Sequence, residues 1–361
     1  MRKNSINEKK MARFTRFFIK IMLGIIFFLI LATITWCYFV EGFHFEKETD
    51  LGMQKRNATW MAHEWVGEYQ SRGRIHSLLT ELMSNNISLV FLHSGPIEQD
   101  GSIPYEKYKY AEKFLKMASE IAPDIEFHAW LGQKRKKLAI QDPFIRKKLV
   151  DEATHMVEEV GFSGIHLNIE PMAGDEDFLA LVRELNMAFS KNYENADGNQ
   201  PEAEISIAIT PIVPKFERSL LKLVLEDSTF LGYDLEKTYN DISYVKSLAQ
   251  EADYVVLMGY DTGFQNSGLY KWFLEQELIF LMKAAPGRAM LGLPTYEDDR
   301  PNFNPEVENI ENALAGVRSG LANIRTKVDN LVGLALYARW TTQPKEWSTW
   351  REEWLGEEDD S

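Results

Sequence analysis

The segment whose residues are best suited to catalysis runs from residue 161 to 171, with the sequence GFSGIHLNIEP. In a β-strand, alternate side chains point to opposite faces, so His166, Asn168 and Glu170 share one face. A carboxyl group at the end of a buried strand can act as a general acid or base. Glu170 is therefore the first candidate catalytic residue. The alternative is a structural ion pair between Glu170 and Arg339 or another basic residue.

Other apolar runs in the chain also end in aromatic, acidic, hydroxyl or histidine side chains. These end residues are His63 and Trp65, His93, His128 and Trp130, Thr210, Tyr260 and Asp261, Tyr296 and Glu297, and Arg339 and Trp340. Flat aromatic faces suit the C–H groups of a sugar ring, and carboxylates suit its hydroxyls and acid–base chemistry. The pattern favours a carbohydrate site.

Four histidines, His63, His93, His128 and His166, fall on different early strands and could converge on a zinc ion. The chain has no H-x-H or H-E-x-x-H pair, and inward histidines usually serve as hydrogen-bonding groups in a core. We therefore expect no metal ion, and the sequence implies no cofactor.

Eight apolar runs alternate with amphipathic stretches in the part of the chain that must position these residues. The predicted strands cover residues 59–63, 88–93, 125–130, 164–170, 205–210, 254–258, 290–293 and 332–337. Strict alternation predicts parallel strands joined by right-handed crossovers, hence an α/β fold, a (β/α)₈ TIM barrel. In such a barrel, chemistry lies at the C-terminal ends of the strands. The chain lacks the glycine-rich loops of nucleotide-binding sheets.

Residues 21–40 are twenty uncharged, mostly apolar residues, which is enough to span a bilayer as a helix. Basic residues precede this run and acidic residues follow it, so we expect a cytoplasmic N-terminus and an extracytoplasmic main domain. The predicted organisation is a basic N-terminus (1–20), a transmembrane anchor (21–40), a stalk (41–57) and a barrel domain (58–361). The predicted location is the cell membrane, with a single pass.

The formal charge of −14 is unevenly distributed. Residues 1–40 hold seven Lys or Arg and one acid, whereas the rest holds 33 basic and 53 acidic residues. A surface of that sign repels phosphate backbones, which makes nucleic acid a poor partner. The expected partners are a glycan and, through residues 21–40, a membrane.

Residues 161–171 resemble the fourth-strand signature of family 18 glycoside hydrolases, the chitinase-like barrels, in which D-G-x-D-x-D-x-E ends in the catalytic glutamate. Gly164 and Glu170 match this pattern, while Ser163, His166 and Asn168 stand where it has aspartates.

Two further elements carry the same resemblance. Met258-Gly-Tyr-Asp261 resembles the M-x-Y-D element of the family at the sixth strand, and Trp340 resembles its tryptophan floor beneath the sugar. The resemblance covers most of residues 59–355.

The resemblance implies a retaining reaction in which the substrate's own 2-acetamido group attacks the anomeric carbon. Glu170 would be the acid/base, and Tyr260 and Asp261 would hold the acetamido group and nearby hydroxyls. Asn168 departs from the family because an amide cannot supply negative charge. The N-x-E spacing of Asn168 and Glu170 instead resembles family 85 endo-β-N-acetylglucosaminidases, which use the same chemistry.

Further substrate contacts are expected from the strand-end and signature residues. The expected contacts are Trp130, His166, Met258, Glu297, Arg339 and Trp340. One alternative is a two-carboxylate retaining glycosidase, with Glu170 as acid/base and Glu297, or failing that Asp261, as nucleophile. The other alternative is a non-catalytic glycan-binding barrel, since fold does not determine function.

Overall fold

A computed structural model describes residues 51–195, 202–215, 217, 219, 229–230, 233–234, 238–295, 304–323 and 327–357. The predicted membrane anchor, residues 21–40, lies outside the described residues. In the part of the chain that is described, no helix combines the length and hydropathy needed to cross a bilayer. The predicted stalk ended at residue 57, but Leu51–Gln54 already forms a 3₁₀ turn and Asn57 is the first residue of a buried strand. Regular secondary structure is therefore already present before residue 58, and the predicted division into stalk and barrel domain stays a prediction.

Eight parallel strands form a closed barrel, which confirms the predicted (β/α)₈ fold. They are β1 (Asn57–Met61), β2 (Ile87–His93), β3 (Glu126–Lys134), β4 (Gly164–Glu170), β5 (Glu204–Ile209), β8 (Tyr254–Met258), β9 (Ala289–Pro294) and β10 (Leu331–Tyr337). Around the barrel the order is β1-β2-β3-β4-β5-β8-β9-β10, returning to β1. Between β5 and β8, the short strands β6 (Thr229–Phe230) and β7 (Tyr233–Asp234) pair antiparallel.

Each barrel strand is followed by a helix. These helices are α1 (Arg72–Ser84), α2 (Ala111–Ile121), α3 (Pro143–His155), α4 (Glu176–Asn195), α5 (Ile242–Glu251), α6 (Ser267–Ala284), α7 (Ile310–Ala322) and α8 (Pro344–Trp350). Helix α3 starts as predicted: the Asp142 side chain accepts a hydrogen bond from the Phe144 N–H, and Pro143 occupies the first turn.

Two of the predicted strand ends differ from the observed ones by two residues or more. Strand β4 has the predicted bounds, but β3 extends to Lys134 rather than ending at residue 130. His128 is therefore only the third residue of its strand and lies in the lower half of the barrel. The first strand ends at Met61, so His63 precedes a one-turn helix, Glu64–Gly67, instead of ending the strand.

The barrel has two hydrophobic layers, one outside and one inside. On β4, Ile165, Leu167 and Ile169 are fully buried against the helices, as alternation along a strand predicts. Inside the barrel, bulky groups such as Trp60 and Phe91 form a separate packed layer. The interior is thus a filled core, which closes the barrel beneath its C-terminal end.

Polar side chains occupy the opposite, N-terminal end of the barrel. The Arg56 guanidinium donates to both oxygens of Glu204 at 2.8 Å and to Glu126 at 2.5 Å. The Tyr254 hydroxyl donates to Glu204 at 2.7 Å, and His128 Nε2 lies 3.1 Å from the same carboxylate. Because Arg56 supplies the positive charge between these carboxylates, the cluster holds four strand segments together as an internal ion-pair network.

Candidate active site

A cavity of about 240 Å³ opens at the C-terminal ends of the barrel strands. It is lined by Asn168, Glu170, Thr210, Pro211, Thr238, Tyr239, Met258, Tyr260, Asp261, Thr262, Phe273 and Tyr337. Pockets for drug-sized ligands are usually about 300–1,000 Å³, so this cavity is a small one.

Strand β4 delivers the acidic group of the cavity. Asn168 and Glu170 project from the same face of the strand, and both line the cavity. Burial raises the pKa of Glu170 to about 7, a hydrogen bond with the Asn168 side chain opposes that rise, and the charge of Asp261 adds to it. Glu170 can therefore hold a proton near neutral pH and release it within the cavity.

Arg339 does not pair with Glu170, so the alternative of a structural ion pair between these two residues is wrong. The Arg339 guanidinium instead makes a two-pronged ion pair with Glu81 on α1, with N–O distances of 2.9 and 3.0 Å. Arg339 is also absent from the cavity lining. The prediction that Arg339 contacts substrate is thereby corrected, because its donors are directed to a helix outside the barrel.

The end of β8 supplies three of the predicted site residues. Met258 and Tyr260 are each 8% exposed and line the cavity together with Asp261. Asp261 has a φ of +57°, a left-handed conformation that Asp adopts more readily than most residues. This sharp change in chain direction places consecutive residues Tyr260, Asp261 and Thr262 on the cavity wall.

An aromatic pair lies at the base of this wall. The rings of Tyr260 and Tyr337 are stacked, with centroids 4.8 Å apart and an interplanar angle of 15°. The Trp60 ring contacts both edge-on from the barrel interior. Trp340 was expected to form the floor, but it is 44% exposed and does not appear among the described lining residues; its ring contacts that of Tyr337 edge-on, with centroids 5.7 Å apart. Tyr337 occupies the place expected for Trp340.

His166 lies below the cavity rather than in it. The residue is fully buried, its Nε2 accepts from the Trp60 indole N–H at 3.1 Å, and its Nδ1 lies 2.9 Å from Ser206 Oγ. Burial, with the nearby His128, holds the pKa of His166 well below its usual value, so the ring is neutral. The expected substrate contact of His166 is corrected to a role in the barrel core, where two histidines share the hydroxyl of Ser206.

Trp130 lies level with His166 in the β3–β4 register, one layer below Asn168. Its ring meets His93 edge-on, with centroids 4.7 Å apart, and it is absent from the cavity lining. Its indole N–H is buried and has no hydrogen-bond partner among the described residues. Trp130 thus lies outside the lining of this cavity, but part of its side chain is exposed, and its contact with a sugar stays a prediction. Glu297, the other predicted contact, lies outside the described residues.

Sequence reasoning missed several lining residues, for identifiable reasons. Tyr337 is the last residue of β10, on the same strand face as Gly333 and Ala335, and this alternation was available from the sequence. Thr238, Tyr239 and Phe273 follow no strand, because the first two come from a connection and the third from α6. No local sequence pattern predicts that these three residues line the cavity.

The cavity thus contains a carboxyl group with a pKa near 7, a second carboxyl group, an amide and a stacked tyrosine pair. Asn240 holds one wall by donating to the carbonyl and hydroxyl oxygens of Thr210, at 2.8 and 3.0 Å. This set can donate a proton to an ether-type oxygen, orient an amide, and cover a sugar ring with an apolar face.

Comparison with known proteins identifies a family for the chain. The model of glycosyl hydrolases family 18 matches residues 62–355. No curated protein matches the chain.

Several solved chitinase structures share the fold. A GH18 chitinase from Cycas revoluta in complex with (GlcNAc)3 is 14% identical with a TM-score of 0.57, over 83% of this chain and 98% of that chain. A class V chitinase from Nicotiana tobaccum is 14% identical with a TM-score of 0.56, over 83% and 99%. A class V chitinase from Pseudomonas fluorescens Pf-5 is 15% identical with a TM-score of 0.55, over 83% and 99%.

Proposed function

The chain belongs to family 18 of the glycosyl hydrolases and is a chitinase-like glycoside hydrolase, and from that premise we propose that it cleaves N-acetylhexosaminyl linkages by substrate-assisted, retaining hydrolysis. Glu170 is the acid/base in this proposal. Asn168, Tyr260 and Asp261 orient and stabilise the reacting sugar, and Met258 and Tyr337 contact its ring.

The reaction proceeds in two steps with one protein acid. In the first, Glu170 transfers its proton to the glycosidic oxygen while the acetamido carbonyl oxygen attacks the anomeric carbon, and the leaving sugar departs as an alcohol. In the second, the Glu170 carboxylate takes a proton from water, which attacks the same carbon and opens the cyclic oxazolinium ion. Two inversions give net retention, and Glu170 recovers its proton.

The observation that carries the proposal is the state of Glu170 within the cavity. Its pKa of about 7 keeps a large fraction protonated at neutral pH, and the Asp261 carboxyl lies in the same small cavity. An acid near pH 7 balances proton donation against later proton removal. Asp261 and Glu170 are the two carboxyl groups among the described lining residues, so Asp261 is the second carboxyl group that can offset the oxazolinium charge.

Asn168 takes a neutral role in this mechanism. Its amide is hydrogen-bonded to Glu170 and lies on the cavity wall, so it can orient the acetamido group without adding charge. Stabilisation of the positive intermediate then depends more heavily on Asp261 than it would with an aspartate at residue 168.

A series of aryl glycosides tests whether the substrate supplies the nucleophile. The aryl β-glycosides of N-acetyl-, N-fluoroacetyl-, N-difluoroacetyl- and N-trifluoroacetylglucosamine are compared by kcat/KM. Each fluorine withdraws electron density from the carbonyl oxygen, so kcat/KM should fall steadily along the series, and Glu170→Gln should be inactive on all four.

An unchanged kcat/KM along the series would contradict assistance and favour a protein nucleophile such as Glu297 or Asp261. Absence of hydrolysis with retained binding of N-acetylglucosamine oligosaccharides would favour a glycan-binding barrel.

We also propose that residues 21–40 tether the enzyme to the cell membrane, with the barrel on the extracytoplasmic side. The support is the twenty-residue apolar run and the basic segment before it. The full chain should remain in the membrane pellet after washing at high salt and high pH, whereas residues 48–361 should not. Release of the full chain by the wash would contradict an integral anchor.

A further inference from the structure

Glu308 is a buried carboxyl group that the proposed mechanism does not use. It lies two residues before α7 and is 1% exposed. Its Oε1 accepts hydrogen bonds from the Thr262 N–H at 3.0 Å, the Thr262 hydroxyl at 2.8 Å and the Gly263 N–H at 3.0 Å. All of these donors belong to the two residues that follow Asp261 in the chain.

Capping of α7 does not explain the buried carboxyl group. The cap of that helix is Asn309, whose side chain accepts from the Asn312 N–H at 3.0 Å. The Glu308 carboxyl group is directed instead across the barrel rim to the segment after β8. A buried carboxyl group that accepts hydrogen bonds from another segment fixes that segment, because a buried N–H or hydroxyl left without an acceptor costs free energy.

The segment that Glu308 holds changes direction sharply. Asp261 and Gly263 both have positive φ angles, +57° and +71°. At the other end of the segment, the buried Tyr270 hydroxyl donates to the Gly259 carbonyl at 2.8 Å. The backbone on either side of Tyr260 and Asp261 is therefore anchored from two places, Tyr270 within α6 and Glu308 in the connection before α7. Asp261 lines the cavity, and its charge acts on Glu170.

We propose that Glu308 is a positioning residue for Asp261: it holds the turn at Thr262 and Gly263 so that the Asp261 carboxylate stays directed into the cavity beside Glu170. Glu308 then influences the reaction only through Asp261. This inference rests on the proposed function of Asp261, but its structural part, the coupling of Glu308 to Glu170 through Asp261, is measurable without turnover.

Two consequences follow from a loosened turn. Asp261 would lose its fixed position opposite the developing positive charge, so kcat should fall on the order of 10²-fold with a smaller change in KM. The Asp261 charge also raises the pKa of Glu170. Withdrawal of that charge should lower the pKa of Glu170.

A double-mutant cycle on the full chain in detergent tests the proposal. The pKa of Glu170 is followed by carbon-13 NMR of labelled glutamate carboxyl groups in four proteins: wild type, Glu308→Gln, Asp261→Asn and the double variant. Glu306→Gln is the matched control, because Glu306 is exposed and loses the same charge two residues away. The Glu170 resonance is assigned by its absence in Glu170→Gln.

We expect Glu308→Gln to lower the pKa of Glu170 in the wild-type background and to leave it unchanged in the Asp261→Asn background, with no effect of Glu306→Gln. kcat/KM should show the same dependence on background. An equal pKa change in both backgrounds, or none in either, would overturn the proposal.

Two further outcomes, a variant that does not fold and a wild-type chain without activity, can be distinguished from failure of this proposal. If Glu308→Gln does not fold, Thr262→Val removes one donor to the same carboxylate and must produce a smaller change of the same sign. If the wild-type chain hydrolyses no N-acetylhexosaminide, the proposed function fails, while the NMR cycle still decides the coupling of Glu308 to Asp261.

Discussion

At the scale of single residues, Glu170 combines two opposing properties. It is a carboxyl group whose charged form is disfavoured by burial and by Asp261, with one hydrogen bond from Asn168 in opposition. The same environment that makes it an acid near neutral pH makes its ionised form costly for the folded state. Activity and stability therefore trade against each other at this position.

Glu170→Gln should stabilise the fold above neutral pH. The folded pKa of about 7 exceeds the usual 4.5, so the folded state binds the proton more tightly than the unfolded state. Wild-type stability therefore decreases as pH rises from about 4.5 to 7 and is constant above that. With about 1.4 kcal/mol for each pKa unit, the decrease amounts to as much as about 3 kcal/mol.

Urea unfolding of both proteins between pH 4.5 and 8 measures this difference. The free energy of unfolding of Glu170→Gln should increase relative to that of wild type as pH rises. For the exposed control Glu311→Gln, the difference from wild type should be the same at every pH. Parallel curves for Glu170→Gln would mean that the carboxyl group is not destabilised by its surroundings.

At the scale of elements, β4 depends on close contact with its neighbours. A Cβ added at Gly164 would fall against the carbonyl oxygen of Glu204 on β5 and 2.8 Å from His128 Nε2 on β3. The backbone at Gly164 has no room to accept a side chain. Because the strand carries Asn168 and Glu170 at its other end, the register of the site depends on this contact.

Gly164→Ala should therefore destabilise the protein, by about 1–3 kcal/mol, because the added methyl group forces backbone movement between β4 and β5. Chemical denaturation measures the loss. The control is Gly73→Ala on α1, where nothing lies within 4 Å of the added Cβ, and a change between neutral and about +1 kcal/mol is expected. Equal stability of both variants would show that β4 and β5 separate more easily than the structure indicates.

The sequence predicted the elements well where local pattern decides them. The bounds of β4 and β8 agree with the predicted ones, since apolar alternation and flanking polar residues mark both ends. It failed for β3, which continues through Gly132, Gln133 and Lys134 because pairing with β4 extends it. That pairing is a tertiary effect, and no periodicity in residues 125–134 reports it.

The site residues, like the strands, were predictable where the local sequence pattern determines their position. Residues on strand ends, such as Asn168, Glu170 and Asp261, were identifiable from alternation and position. His166 shares their strand face but lies one layer too deep, and depth in a barrel depends on strand stagger rather than on alternation. Glu308 was not predicted because its role depends on two segments that are distant in sequence.

At the scale of the whole molecule, charge is placed at the two ends of the barrel for different purposes. The C-terminal end holds Glu170, whose charge is disfavoured. The N-terminal end holds Glu204, where burial would raise the pKa but hydrogen bonds from His128 and Arg56 outweigh it and lower the pKa to about 2. One end provides reactivity and the other end stabilises the closed barrel.

Glu204→Gln should destabilise the barrel at neutral pH by roughly 3 kcal/mol. The folded pKa of Glu204 is below its usual 4.5, so its contribution is present above about pH 4.5 and is lost as pH falls toward 2. Thermal unfolding between pH 2.5 and 7 should show a smaller acid-dependent loss in the variant than in wild type. The control is Glu202→Gln, an exposed neighbour. Identical acid dependence in Glu204→Gln and wild type would contradict the network.

The most direct test of the central claim is a titration of the protein with N-acetylglucosamine-thiazoline, a stable mimic of the oxazoline intermediate. The free energy of unfolding is measured at each ligand concentration. Assisted catalysis at Glu170, Asn168 and Asp261 predicts stabilisation by about 2.7 kcal/mol at a hundred times the dissociation constant. The shift should be lost in Asp261→Asn and Asn168→Ala and kept in Glu311→Gln. No stabilisation of the wild-type protein at millimolar thiazoline would contradict the account.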